Sequence, residues 1–335
     1  MNIPLKKLGD QVLVLTGATS GIGLVTARQA ARRGARLVLA ARSEQELREL
    51  EIEITRQGGQ AVSVVADVGR QEEVQRIAAT AQERFGGFDT WVNNAGVSLF
   101  GRLEEIDLAD AHRLFDTNFW GVVHGSLAAL PELKKRGGAL INLGSVVSDR
   151  AFPLQGMYSA SKQAVKGFTD ALRVELEEEG APVSVTLIKP TSIATPLPRH
   201  AKNYMPVEPT LPPPVYAPEI AAKAILHCAE HPEREVAVGG ASKMMSVLSA
   251  LAPRFMDFYQ EMKSFQQQRT NQPARGDLDR SLYRPSHDLA ERGEFPRHIY
   301  ETSAYTAARL NPLLTSAVVL GATFLVEQLW NARRR

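Results

Sequence analysis

The feature that most constrains the fold is an alternation of short apolar runs with longer amphipathic stretches, from residue 11 to about residue 238. Such apolar runs are typical of strands buried on both faces, and the stretches between them are typical of helices that cover a sheet. This order predicts an α/β fold with a doubly wound parallel sheet and helices on both faces. Seven strands are predicted, at residues 12–15, 36–40, 61–66, 90–92, 139–143, 183–188 and 235–238.

Composition and charge exclude several classes of protein. Lys and Arg total 39 against 37 Asp and Glu, a net charge of +2, so nucleic acid is not expected as a partner. The one cysteine, Cys228, can form neither an internal disulfide nor a cysteine-based zinc site, and we expect no metal site. The apolar run at 12–15 is too short for a secretion signal. We therefore expect a cytoplasmic protein.

The chain divides into a core at 1–240 and a mainly helical C-terminal extension at 241–335. Nine of the 19 prolines lie between Pro190 and Pro218, which predicts a long surface excursion of the kind that often forms a lid. In the extension we expect a linker near 266–280 and an apolar segment at 313–326. That segment has two interpretations: a helix packed on the body or on a partner subunit, or membrane association through 313–330.

A glycine motif follows the first predicted strand and opens a helix. Gly17 and Gly21 allow a tight turn close to a pyrophosphate, and Gly23 allows close packing of helix on strand. The N-terminus of the helix supplies unpaired N–H groups and a positive dipole. Thr19, Ser20 and Ile22 complete the predicted phosphate-binding turn. An ordinary tight loop is the alternative interpretation.

The ends of the next strands carry candidate contacts to an adenosine ribose. Arg42 and Ser43 stand where an acid would bind the ribose 2′-hydroxyl, and Arg42 suits a 2′-phosphate, so NADP(H) is favoured over NAD(H). Arg42 as a solvated surface charge is the alternative. Asp67 and Asn94 also end predicted strands, although both residue types are common turn formers.

The candidate catalytic group is a tyrosine with a lysine four residues later on one helix face, Tyr158 and Lys162. A neighbouring ammonium favours the phenolate and is predicted to lower the tyrosine pKa toward neutrality. Ser145, at the end of the fifth predicted strand, is placed to hold a substrate oxygen while hydride moves between substrate and nicotinamide. A surface Tyr–Lys pair is the alternative, since this spacing often arises by chance.

The segments TGATSGIG, NNAG and YSASK, with the spacing from Ser145 to Tyr158, together resemble the short-chain dehydrogenase/reductase family over roughly residues 8–240. The resemblance implies a Rossmann-type sheet, Tyr158 as the proton carrier, and Lys162 on the nicotinamide ribose. It also implies Asn118 as part of a water-linked proton relay. Further cofactor contacts are expected at Val68, Ala95, Gly96, Pro190, Ile193 and Thr195. Thr191 stands where the family has a glycine.

The substrate side is expected to be apolar, with Val97, Leu99, Phe100, Val147, Phe152, Leu154, Met157 and Leu197 as candidates, although such residues are equally typical of a core. We therefore expect an NADP(H)-dependent oxidoreductase for a hydrophobic ketone or secondary alcohol, and the resemblance implies a homo-oligomer. The alternative is a cofactor-binding scaffold or interaction protein whose tail serves a partner or a membrane.

Overall fold

Seven parallel strands form the central sheet of the structure, a computed structural model that describes residues 3–276, 280–295, 297–311 and 315. In chain order the strands are β1 (Val12–Thr16), β2 (Arg36–Ala41), β3 (Gln60–Val65), β4 (Thr90–Asn93), β5 (Leu99–Phe100), β6 (Gly138–Leu143), β7 (Val183–Pro190), β8 (Lys202–Asn203), β9 (Val207–Pro209), β10 (Val215–Tyr216), β11 (Glu235–Val238), β12 (Arg269–Pro273) and β13 (Ile299–Tyr300). The order in the central sheet is β11-β7-β6-β4-β1-β2-β3. The predicted seven-stranded parallel sheet is confirmed.

Helices occupy the connections that the amphipathic pattern predicts. They are α1 (Gly21–Arg32), α2 (Glu44–Arg56), α3 (Gln71–Phe85), α4 (Leu108–Phe115), α5 (Gly121–Arg136), α6 (Gly156–Glu178), α7 (Leu197–His200), α8 (Pro218–Glu230), α9 (Gly240–Leu251), α10 (Pro253–Tyr259), α11 (Phe265–Gln267) and α12 (Ala304–Leu310). A π-helical turn, Asp116–Trp120, joins α4 to α5.

The sheet is buried on both faces because residues in each strand alternate between two helical layers. In β1, Leu13 and Leu15 pack with α1, α2 and α8, whereas Val12 and Val14 pack with α3, α5 and α6. All four side chains are at most 2% exposed. This double burial explains why the central strands are apolar throughout.

The strand order positions the site. The chain reaches the sheet edge at β3 and then crosses back to β4, on the other side of β1. At such a reversal the connections leave β1 and β4 in opposite directions, which opens a crevice at the carboxyl ends of these strands.

The extension is more closely integrated with the core than a linker near 266–280 implies. Within that range, β12 pairs antiparallel with β9 of the proline-rich excursion. The linker expectation is therefore corrected for Arg269–Pro273. Its polar sequence suits a strand whose side chains are mostly exposed while its backbone pairs.

The apolar segment expected at 313–326 lies outside the described residues except for Thr315. In the part of the chain that the structure describes, no helix combines the length and the hydropathy that a membrane crossing needs.

Candidate active site

One cleft at the carboxyl edge of the sheet collects most of the predicted site residues. Predicted cofactor and catalytic residues that line it are Gly17, Thr19, Ser20, Gly21, Ile22, Arg42, Ser43, Asp67, Val68, Asn94, Ala95, Gly96, Ser145, Tyr158, Lys162, Pro190, Ile193 and Thr195. Gly23 and Asn118 do not line the cleft and lie behind it. The nucleotide end and the tyrosine end thus belong to one continuous space.

The glycine turn after β1 has the conformation its sequence predicts. Gly17 and Gly21 have φ of +69° and +53°, a region that side chains disfavour. A Cβ atom at Gly23 would lie 2.0 Å from the carbonyl oxygen of Gly17, so only glycine fits there. The Asn94 side-chain amide donates to the carbonyl oxygens of Thr16 and Gly17, at 2.9 and 3.1 Å. Asn94 therefore fixes the turn rather than simply ending β4.

Arg42 and Asp67 line the end of the cleft where the adenosine is expected, and Arg113, which is not predicted from the sequence, pairs with Asp67. Asp67 accepts hydrogen bonds from the Arg113 guanidinium and from the Gly69 N–H. Burial raises the pKa of the Asp67 carboxyl, but the Arg113 hydrogen bond and charge outweigh it, so the net pKa lies below the usual value. Burial lowers the pKa of Arg42, and Asp67 opposes that shift. Arg42 and Asp67 are the charged side chains that line this end, and the Asp67 carboxylate is paired with Arg113.

The catalytic candidates meet at the other end, where α6 follows β6. The Ser145 hydroxyl hydrogen-bonds with the Tyr158 phenol, and it also caps a short turn by accepting from the Val147 N–H at 3.4 Å. Lys162 Nζ lies 5.9 Å from the centre of the Tyr158 ring and donates to the Leu143 carbonyl oxygen at 2.8 Å. The cluster therefore has the members that the sequence predicts.

The predicted pKa shift of the tyrosine is wrong in this geometry. Burial raises the pKa of Tyr158 to about 12, and the Ser145 hydrogen bond lowers it only in part. Burial also lowers the pKa of Lys162 to about 8. Desolvation dominates because the lysine is 4% exposed and its ammonium bonds to a carbonyl rather than to the phenol. At neutral pH the phenol is protonated.

Asn118 lies in the π-helical turn and is fully buried. Its side-chain amide donates to the Val97 carbonyl at 2.9 Å and to the Ser161 hydroxyl at 3.1 Å, and its Oδ1 accepts from the Val97 N–H at 2.8 Å. These bonds fasten the loop after β4 to α6, on which Tyr158 lies. The relay implied by the family resemblance stays a prediction.

The turn after β7 accommodates Thr191 without strain. Among the described residues, Leu154 is the one non-glycine residue with positive φ, so Thr191 has an ordinary backbone. The Thr191 N–H donates to the Val238 carbonyl at 3.1 Å. The following Ile193 and Thr195 are buried and line the cleft as expected.

The space beyond Tyr158 is mostly apolar. Five of the predicted substrate contacts line it: Val97, Phe100, Val147, Phe152 and Leu197. The other three, Leu99, Leu154 and Met157, pack in neighbouring hydrophobic clusters instead. The cleft is also lined by residues that are not predicted from the sequence, including Leu211 of the proline-rich excursion and Met245 and Tyr259 of the extension. No local sequence signal marks these three, because they reach the cleft through tertiary packing.

The cleft suits a dinucleotide. Ser43 and Thr117 line the cleft, and their hydroxyl oxygens are buried and have no hydrogen-bond partner among the residues that the structure describes. Buried hydroxyls are normally paired, so these two are available to a ligand. The glycine turn and the N-terminus of α1 provide the close backbone approach that a pyrophosphate needs.

Comparisons with known proteins agree with this geometry. Residues 11–204 match the family model for short chain dehydrogenase. The chain is 45% identical over 336 residues to an uncharacterized oxidoreductase, YxnA, of Bacillus subtilis, covering 99% of this chain and 93% of the relative. It is 38% identical over 192 residues to 11-beta-hydroxysteroid dehydrogenase A of Sesamum indicum, covering 57% of this chain and 54% of that protein.

Two solved structures share the fold. A short chain dehydrogenase from Burkholderia cenocepacia in complex with NADP has a TM-score of 0.65 and 27% identity, covering 76% of this chain and 99% of that chain. A short chain dehydrogenase/reductase from Burkholderia phymatum in complex with NAD has a TM-score of 0.66 and 25% identity, covering 82% and 100%. The chain therefore belongs to the short chain dehydrogenase family and is an oxidoreductase.

Proposed function

We propose that the protein is an NADP(H)-dependent oxidoreductase that reduces a hydrophobic ketone or oxidises the corresponding secondary alcohol. One observation carries this proposal: a single cleft joins the glycine turn and Arg42 at one end to the Ser145–Tyr158–Lys162 cluster at the other. A dinucleotide bound along the cleft would place its phosphates and its reactive ring at these two ends.

The residues that would hold the cofactor follow from their positions. The glycine turn and the first turn of α1 beyond Gly21 suit the pyrophosphate, because the Gly21 N–H itself donates to the Ala290 carbonyl oxygen. Lys162 suits the nicotinamide ribose. Arg42, with the unpartnered hydroxyl of Ser43, suits a 2′-phosphate. NADP(H) is favoured over NAD(H) because β2 is followed by the guanidinium of Arg42, and no acidic residue stands at the end of that strand.

The protein's own groups supply proton transfer and charge stabilisation. When bound, the cofactor would supply the hydride for the carbonyl carbon. Ser145 donates a hydrogen bond to the substrate oxygen, and the protonated Tyr158 transfers its proton to that oxygen as charge develops there. The Lys162 ammonium stabilises the resulting phenolate. A phenol that is protonated at neutral pH is the form that carbonyl reduction requires of this proton donor.

The rate of reduction is expected to fall as pH rises through about 8. Lys162, whose pKa is about 8, loses its stabilising charge above that pH, whereas Tyr158, whose pKa is about 12, stays protonated. The measurement is kcat/KM for ketone reduction between pH 6 and about 10. In a Lys162→Arg variant the charge persists, so the fall near pH 8 should disappear even if the rate is lower. An identical fall in that variant would contradict the role of Lys162.

A substrate panel tests the proposed reaction. Because the cleft beyond Tyr158 is mostly apolar, cyclic and long-chain ketones should be reduced by NADPH with kcat/KM at least about tenfold higher than matched ketones with a carboxylate. NADPH absorbance reports turnover. Equal or better reduction of the carboxylated ketones would contradict the substrate class. No turnover across the panel, with NADPH bound, would favour the scaffold alternative.

We also propose that the protein is a homo-oligomer. The region around α5 and α6 exposes large apolar side chains: Trp120, Leu127 and Val174 are 48%, 53% and 58% exposed. Large apolar side chains that stay exposed on a helix face, with no other described element packed over them, are typical of a subunit interface.

A further inference from the structure

A segment of the C-terminal extension crosses the nucleotide end of the cleft. We call residues 280–293 the strap. Ser281, Pro285 and Ser286 of the strap line the same cleft as Arg42 and the glycine turn. The strap therefore forms a wall of the cleft and leaves space between itself and the carboxyl edge of the sheet.

The first contact of the strap is with Arg42. Its guanidinium donates to the carbonyl oxygens of Ser281 and of Leu282, the latter at 3.1 Å. Arg113 donates to the same Leu282 oxygen at 3.2 Å. A guanidinium has five N–H donors in a rigid plane, so two bonds to fixed carbonyls set its orientation and leave donors for an anion in the cleft.

The second contact is at the glycine turn. The N–H of Gly21, the first residue of α1, donates to the Ala290 carbonyl oxygen at 2.9 Å. Three residues later the Gly293 N–H donates to the Ala194 carbonyl at 3.2 Å, and a Cβ at Gly293 would lie 2.7 Å from the Thr195 oxygen. The strap thus passes close to the backbone on both sides of the predicted pyrophosphate position.

Side chains fasten the strap to the core and to the proline-rich excursion. Leu282 is 1% exposed and packs in a cluster with Ile106. The Tyr283 phenol donates to one carboxylate oxygen of Asp110 at 2.7 Å, while Tyr204 of the excursion donates to the other at 2.6 Å. Arg280 and Glu208 form a buried ion pair at 2.9 Å. Together, these packing contacts, hydrogen bonds and the ion pair hold the strap in a defined position.

We propose that the strap is a component of the dinucleotide site, which encloses the adenosine end of the cofactor and holds Arg42 toward its 2′-phosphate. This inference rests on the proposed cofactor. Ser281 and Leu282 act through Arg42 and are positioning residues. Enclosure by a strap slows release of the cofactor, because the nucleotide leaves only when the strap detaches.

The test measures cofactor release, not turnover. The NADPH complex is mixed with excess NADP⁺, and the loss of NADPH fluorescence gives the dissociation rate. Leu282→Ala should raise this rate about tenfold or more, because it removes packing that holds the strap. Leu176→Ala makes the same change in a buried leucine of α6 that belongs to a different cluster, and its rate should stay within about twofold of the parent.

A milder pair of variants keeps the test independent of folding defects. Tyr283→Phe and Tyr204→Phe each remove one phenol from the Asp110 carboxylate, but only the first lies in the strap. Tyr283→Phe should speed release about threefold or more, and Tyr204→Phe by less than about twofold. Unchanged release in both strap variants, or an equal rise in the two control variants, would overturn the proposal.

The proposed cofactor preference and the proposed role of the strap can be contradicted independently of each other. If the parent protein binds NADH as tightly as NADPH, the role of the 2′-phosphate is wrong. Release of NADH, measured in the same four variants, then still reports whether the strap encloses the nucleotide. If NADH release is faster in the two strap variants alone, the strap still encloses the nucleotide, and only the proposed contact with the 2′-phosphate is wrong.

Discussion

Replacing Tyr158 by Phe is expected to lower kcat for ketone reduction by roughly 10²- to 10⁴-fold, the usual contribution of a positioned proton donor. The phenol is the group that transfers a proton to the substrate oxygen, and the variant keeps the ring that lines the cleft. NADPH affinity, measured by fluorescence titration, should change by less than about twofold, because the ring and Lys162 remain.

The chain offers a matched control for this variant. Tyr259 also lines the cleft and also has a lysine four residues later, Lys263. Both lie outside the Ser145 cluster, and Lys263 is exposed. Tyr259→Phe should lower kcat by no more than about fivefold, since no proton transfer is lost. Equal losses in the two variants, or retained turnover in Tyr158→Phe, would contradict the role assigned to Tyr158.

Replacing Arg42 by Ala is expected to weaken NADPH binding by roughly 10- to 150-fold, because a hydrogen bond to a charged group is worth about 1.5–3 kcal/mol. NADH lacks the 2′-phosphate, so its affinity should fall by no more than about threefold. The anchors of the strap at Tyr283 and Leu282 remain in this variant. Equilibrium titration with both cofactors gives the two dissociation constants.

The control for Arg42 is Arg48, an arginine of the neighbouring helix α2 that is 70% exposed and pairs with Glu44. Arg48→Ala removes the same charge outside the cleft, and both affinities should stay within about twofold. Equal weakening of NADPH and NADH in Arg42→Ala would show that the residue does not recognise the phosphate.

The sheet can be predicted well from the sequence because strands that are buried on both faces consist of continuous runs of apolar residues. Every residue of β1 is buried, and the run of apolar side chains marks it. The glycine turn is equally visible, since the positive φ of Gly17 and Gly21 and the close approach at Gly23 each require the absence of a side chain. Patterns of this kind need no knowledge of distant contacts.

The strap could not be predicted, because its contacts to the cleft are made by main-chain carbonyls. Ser281, Leu282 and Ala290 accept hydrogen bonds from Arg42 and Gly21, which lie more than two hundred residues earlier in the chain. Any residue type supplies a carbonyl, so composition carries no signal. For the same reason, the pairing of β12 with β9 cannot be recognised from the sequence: the backbone makes the pairing, and the polar side chains of β12 are typical of a linker.

The sign of the tyrosine pKa shift predicted from the sequence is wrong because residue spacing does not report burial. A lysine four residues after Tyr158 predicts an electrostatic effect, and the ammonium does lie 5.9 Å from the ring. However, desolvation penalises the charged form of both groups, and the ammonium bonds to the Leu143 carbonyl oxygen rather than to the phenol. The Tyr–Lys pair at 259 and 263 shows that spacing alone also does not identify a site.

A crystal structure of the protein with NADPH shows directly whether one cleft holds both ends of the cofactor. We predict that the 2′-phosphate contacts Arg42 beneath the strap and that the nicotinamide C4 faces the space beside the Tyr158 hydroxyl. A nicotinamide ring bound away from Tyr158 would contradict the proposed reaction, and a 2′-phosphate turned away from Arg42 into solvent would contradict the proposed cofactor preference.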